Sequence, residues 1–216
     1  MRNRFLRISG WLLMLLLATF VAVVSLRYFF ISPEKASDPA LGEKFARHLP
    51  LLLTHITGGI VALFLGPWQF WGGLRRRYPA FHRWLGRIYL LGILAGGIAG
   101  FGMALIAFGG LPSQIGFGGL AVAWLASGFL AYRTIRQGKV QEHREWMIRN
   151  YALTLAAVTL RLWLPLLLSQ GIPFPVAYPI IAWLSWVPNL GLAEVYLWGR
   201  GRKHEREPLA AAPVQA

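Results

Sequence analysis

Apolar residues in this chain come in long unbroken blocks, not in the alternating or one-face patterns of soluble elements. The blocks run from Ile8 to Phe30, His48 to Trp71, about Trp84 to Phe108, about Gly116 to Tyr132, Asn150 to Leu168 and Val176 to Trp198. Each approaches or reaches the roughly 20 residues that a helix needs to cross a hydrocarbon core about 30 Å thick. The pattern predicts an all-α, polytopic membrane protein of six transmembrane helices, with helices two to five forming the core bundle. Residues 1–31 then carry the first helix and 32–47 an external loop. Residues 48–168 form the four-helix core domain, 169–199 the sixth helix and 200–216 an unstructured cytoplasmic tail. Met1 to Arg7 followed by an apolar stretch also suits a secretory signal. The run continues through Phe29 and Phe30, longer than a signal's apolar region, and predicts a retained helix.

Composition sharpens this picture. The chain is 56% hydrophobic and only 14% charged, where soluble domains carry about 25% charged residues. The same figures exclude a disordered chain, which is poor in apolar residues and rich in charge. The absence of cysteine excludes disulfides, thiolate metal sites and cysteine nucleophiles. The net charge of +14 would suit nucleic acid, but its placement follows the spans. Arginines and lysines crowd the amino terminus (Arg2, Arg4, Arg7), the second connection (Arg75 to Arg77, Arg83, Arg87), the fourth (Arg133, Arg136, Lys139, Arg144, Arg149) and the tail. The opposite side has only Arg27, Lys35, Lys44 and Arg47. Basic residues stay on the cytoplasmic side, so both termini are expected there, and the partner implied is the lipid bilayer, not nucleic acid.

Gly58-Gly59 is followed by a basic loop and His82-Arg83, and Gly118-Gly119 by a basic loop and His143-Arg144. Two duplicated hairpins would leave such a trace, and so would chance in apolar sequence. Four stretches carry a resemblance: Thr54-His55-Ile56-Thr57-Gly58-Gly59, Gly66-Pro67-Trp68-Gln69-Phe70, His82 through Tyr89, and His143 through Tyr151. In this order they resemble an uncharacterised family of bacterial membrane proteins, domain of unknown function 2306. The resemblance implies the multi-span fold and a place in a bacterial inner (cytoplasmic) membrane, but no activity.

Function must therefore be read from polar groups placed where lipid belongs, since ionisable residues inside a span are costly and usually face the bundle interior. On the second helix His48, His55, Gly59, Ala62, Gly66 and Gln69 share a face. Small residues there admit a neighbouring helix, or a flat cofactor beside a histidine ligand. On the third helix His82, Gly86, Tyr89 and Gly96 share a face, and on the fifth His143, Met147, Asn150, Thr154, Ala157 and Arg161 do. His82 and His143 both stand near the basic ends of their helices. Two histidines at one level on non-adjacent helices meet the need of a b-type haem for axial iron ligands, with Arg87 and Arg149 available for its propionates. The arrangement resembles transmembrane cytochrome b proteins that hold haem in a four-helix core. It departs from them in that the fourth span has no histidine, which leaves His55 without a counterpart. The alternative for both His-Arg pairs is an interfacial anchor touching lipid phosphate.

Arg161 lies deepest, about 16 Å from the basic edge at Asn150 by helical rise. His55 reaches a similar depth from the other side. Glu194, the only acid in a span, stands nearer the level of Arg149 or Arg87 than that of Arg161. Arg161 is then satisfied either by carbonyls of a broken helix end, one of them freed by Pro165, or by a small anionic ligand or quinone held between it and His55. Asn189 either lines the same cavity or bonds a neighbouring helix. Tryptophans at helix ends fit the interfacial belt. The readings left open are a redox protein binding haem b or quinone, a transporter with a midplane His/Arg site, and a non-catalytic assembly factor. No motif for hydrolysis or group transfer is present.

Overall fold

Lipid offers the backbone no hydrogen-bond partner, so an apolar run of this length must satisfy its own N–H and C=O groups by forming a helix. The computed structural model describes residues 2–210, and no strand occurs among them. Six stretches are long and apolar enough to cross a membrane: Ile8–Phe29, Leu49–Phe70, Pro79–Leu105, Leu111–Arg136, Val140–Ser169 and Phe174–Arg200. They are built from α1 (Arg2–Ser25) with a short 3-10 turn, α4 (Leu49–Phe70), α6 (Pro79–Leu105), α7 (Leu111–Arg136), α8 with α9 (Val140–Thr154, Ala156–Ser169), and α10 with α11 (Phe174–Leu184, Val187–Ala210). The connections hold three short helices, α2 (Pro33–Ala36), α3 (Pro39–Arg47) and α5 (Gly72–Arg77).

Several boundaries differ from the sequence reading. The fifth span begins at Val140, ten positions before Asn150, because Gln141 to Glu145 are polar yet helix-forming and keep the helix going outside the apolar window. The connection over 32–47 is helical. Asp38 caps α3 by accepting from Ala40 N, Pro39 opens it, and Leu41 and Gly42 are buried. The last helix runs on to Ala210, so residues 200–210 of the expected unstructured tail are helical. Residues 211–216 lie outside the described residues.

The core is α4, α6, α7 and α8–α9, each antiparallel to its predecessor. The closest approach is between α4 and α6. A Cβ on Gly58 would stand 2.4 Å from the carbonyl oxygen of Gly92 and 2.6 Å from Cα of Gly96, so only glycine allows the crossing. Between α6, α7 and α8 the cement is polar. Tyr89 Oη donates to Asn150 Oδ1 at 2.6 Å, Asn150 Nδ2 donates to Trp124 O and Ser127 Oγ at 2.9 Å each, and Trp124 Nε1 donates to Thr154 Oγ1 at 2.9 Å. Outside this core α1 packs on α4, where Trp11 Nε1 donates to Pro67 O at 2.9 Å and its ring sits edge-on to Trp68. The α10–α11 pair packs on α7, α8 and α9.

Candidate functional site

His55 is seated on α4 by the absence of side chains on α6. A Cβ on Gly100 would lie 2.6 Å from His55 Nδ1, so only glycine leaves room for the imidazole. Nδ1 donates to the Gly96 carbonyl at 2.8 Å, which makes Nε2 the acceptor of the neutral ring. Arg161 approaches from α9. Its Nη1 donates to Ala157 O at 2.9 Å and its Nη2 to Ser25 Oγ at 3.0 Å, and the Ser25 hydroxyl in turn donates to Val21 O at 2.8 Å. A guanidinium carries five N–H groups, so donors remain after these two bonds. Among the described residues the ion pairs are Arg47–Glu43, Lys139–Glu142 and Arg149–Glu194. No carboxylate answers Arg161.

Both residues open onto one cavity of about 240 Å³. Its walls are mostly apolar, with Leu52, Leu63, Leu120, Leu160, Phe108 and Phe117 among them, and Leu41, Lys44 and Phe45 of α3 close one end. Trp124 and Thr154 bring the buried network of α6, α7 and α8 to the wall. Ser185 also lines the cavity, and its buried hydroxyl has no hydrogen-bond partner. The regular helical ladder is briefly interrupted in the fifth span at Leu155 and in the sixth at Ser185–Trp186, while the backbone at Leu155 and Ser185 stays in the right-handed helical region. The two interruptions meet. Thr159 Oγ1 donates to Ser185 O, while Asn189 Nδ2 reaches Ala152 O at 3.2 Å and Ser185 O at 3.1 Å.

The remaining candidates divide between this cavity and elsewhere. Gly59 lines the wall, and a Cβ there would meet nothing within 4 Å. Gly66 is filled by a protein ring, since a Cβ would stand 1.9 Å from Cε2 of Tyr151. His48 is exposed beside the cap and donates from Nδ1 to Lys44 O at 3.0 Å. Asn150 is fully buried within the network, and Asn189 joins the two interruptions. Gln69, His82, His143, Arg87, Arg149 and Glu194 belong to the basic end and do not line the cavity. There His143 Nδ1 donates to Ala131 O at 2.7 Å and Arg87 lies over the Trp84 ring at 4.8 Å. Arg149 grips Glu194 with two hydrogen bonds, at 2.6 and 2.9 Å. The histidines and arginines of the haem expectation, His82, His143, Arg87 and Arg149, therefore lie together at the basic end, while His55 and Arg161 share the cavity.

A family model described as "Predicted membrane protein (DUF2306)" matches residues 52–197. That is well over half of the chain. The chain belongs to this family. No curated protein and no solved structure matches it. The family stretch holds His55, Thr154, Arg161 and Ser185, whereas α1 and the cap α3 lie before it. Membership describes the architecture and leaves the activity open, so the cavity must speak for itself. Sequence reasoning missed Ser25, Lys44 and Ser185. The signal available was a hydroxyl standing alone in an apolar run, as Ser25 and Ser185 do.

Proposed function

We propose that this membrane protein binds a small organic anion with an apolar body, most simply a carboxylate, in the cavity at Arg161 and His55, and that it is a carrier for such anions. One observation carries the reading: a half-buried guanidinium borders an apolar cavity, and no carboxylate among the described residues neutralises it. A charge in that setting is costly unless a counter-charge arrives. The unpartnered Ser185 hydroxyl and the Nε2 of His55 are further polar anchors for a ligand whose body would lie on the leucine and phenylalanine wall. Carriage, and not only binding, is inferred from the position of the site inside a bundle of six spans, where carriers hold their substrates. The arginine-rich connections support placing the basic end on the cytoplasmic face, as in a bacterial inner membrane. The haem reading gains nothing from this cavity, whose wall contains neither His82 nor His143.

The test compares octanoate with octanol, which share an apolar tail and differ in charge. Octanoate is expected to raise the melting temperature of the purified chain, octanol not. Arg161→Ala is expected to weaken octanoate binding at least tenfold, in line with the roughly 1.5–3 kcal/mol of a charge-assisted hydrogen bond, while circular dichroism and elution volume stay unchanged. Equal responses to both probes, or full octanoate binding by a folded Arg161→Ala chain, would remove the proposal. Proteoliposome exchange of labelled octanoate then tests carriage.

A further inference from the structure

The basic end contains a second group of polar side chains that the cavity does not use. Gln69 closes α4 there and is only 6% exposed, yet its Nε2 is buried without a partner. Its Oε1 lies 3.4 Å from where a Cβ on Gly86 would stand, which puts the amide against α6 one turn from His82. His82 repeats the anomaly, since its Nδ1 is buried and bonds to nothing. Arg75 of α5 donates from Nη1 to Gln69 O at 3.3 Å and, with His143, is an electrostatic neighbour of His82. Burial and the nearby Arg144 and Arg76 guanidiniums hold Arg75 below the usual arginine range. The cluster thus concentrates positive charge. The carboxylates nearest in sequence are engaged: Glu142 pairs with Lys139 at 3.2 Å, and Glu145 accepts from Gln141 at 2.7 Å.

The helix ends add to this. His82 and His143 stand in the first turns of α6 and α8, and neither helix has a side-chain cap at its N-terminus. Unpaired N–H groups and the positive end of the helix dipole favour an anion at such places. Arginine forks match the oxygens of carboxylate and of phosphate, and phosphate is the oxyanion that every phospholipid headgroup brings to a membrane surface.

We propose that Gln69, Arg75, His82, His143 and Arg144 form a binding site for a phosphate-type oxyanion, carried on a lipid headgroup or free in solution. The site is independent of the cavity at Arg161 and of any ligand there. Gln69 Nε2 supplies the buried neutral donor, and Arg75 and Arg144 supply charge.

Two probes separate the sources. The full chain is incorporated into nanodiscs of phosphatidylcholine alone or with one-third phosphatidylglycerol, and lipid retained after mild detergent extraction is counted by native mass spectrometry. In parallel, the detergent-purified chain is titrated with inorganic phosphate and its melting temperature followed. Enrichment of phosphatidylglycerol identifies a headgroup site, a rise with inorganic phosphate a free-oxyanion site, and either supports the proposal. Arg75→Gln/Arg144→Gln is expected to reduce the response at least tenfold. Gln69→Leu, which keeps every charge, is expected to reduce it severalfold. The proposal is overturned if neither probe responds, if either variant binds as the unaltered chain does, or if the charge-matched control Arg136→Gln/Arg200→Gln loses as much.

Discussion

At the scale of single residues, the glycines of α4 show how one residue type takes three unlike roles on one helix. Gly58 touches the backbone of α6, Gly66 receives the ring of Tyr151, and Gly59 faces the cavity with free space above it. Alanine separates the roles. Gly66→Ala drives a methyl into a buried ring and is expected to cost about 1–3 kcal/mol of stability, measured by thermal or denaturant unfolding in detergent. Gly59→Ala has room and is expected to leave stability within about 0.5 kcal/mol, as substitutions away from packed features do. It narrows the wall beside His55 and should weaken octanoate binding severalfold in the titration described above. Unchanged binding by Gly59→Ala would take this stretch of wall out of the ligand site. The sequence displays all three glycines on or near one helical face, but which neighbour fills each space depends on chains more than thirty residues away.

At the scale of elements, two tyrosines tie the hairpins together. Tyr89 of α6 bonds to Asn150 on α8, and Tyr151 of α8 donates to Leu63 O on α4 at 3.3 Å. Each follows its His-Arg pair by a similar interval, but Tyr89 bonds to a side chain and Tyr151 to a backbone carbonyl. Asn150 is the hub. Removing its amide takes one hydrogen bond each from Tyr89 Oη, Trp124 O and Ser127 Oγ, although Tyr89 Oη keeps Thr154 Oγ1 at 3.2 Å and Ser127 Oγ keeps Trp124 O at 3.1 Å. Asn150→Ala is expected to cost about 1–3 kcal/mol, read as a lowered unfolding midpoint. Double-mutant cycles in another membrane protein have given smaller couplings, near 0.6 kcal/mol. A shift below that value would mean that the bundle repacks around the loss. Asn150 was legible as one of a polar stripe on the fifth span. Tyr89 was legible likewise on the face of the third span with His82 and Gly86, but that the two faces meet was not, because the sequence does not say which helices are neighbours.

At the scale of the whole molecule, charge and packing act at opposite ends. The basic end holds the arginine cluster, the Arg149–Glu194 pair and the tryptophan contacts of α1 with α4. The other end holds the cap α3 over the cavity mouth. If the basic connections set orientation, a reporter fused in the turn at Gly138 responds as cytoplasmic and one fused near Ser37 as external. The cap gives a further expectation. Lys44 Nζ donates to Ile106 O at 3.3 Å across the mouth, so Lys44→Ala should loosen the closure and speed octanoate release more than it changes stability, as stopped-flow exchange would register.

The helical class, the six spans and the family were all legible without coordinates, because the cost of exposing a backbone to lipid forces every long apolar run into a helix, whatever its neighbours. The depth of Arg161 and the lack of an acid at its level were legible too, since helical rise converts residue number into height. Tertiary structure alone decided which faces turn inward. It gave Gly66 to a tyrosine and Gly59 to a cavity, brought Ser25 to Arg161 and Ser185 to the wall of the cavity that Arg161 borders, and parted His82 and His143 from His55. Rotation about a helix axis and the choice of neighbour depend on side chains meeting across distant segments, and in a span that is apolar on nearly every face the sequence carries little periodic signal to fix them.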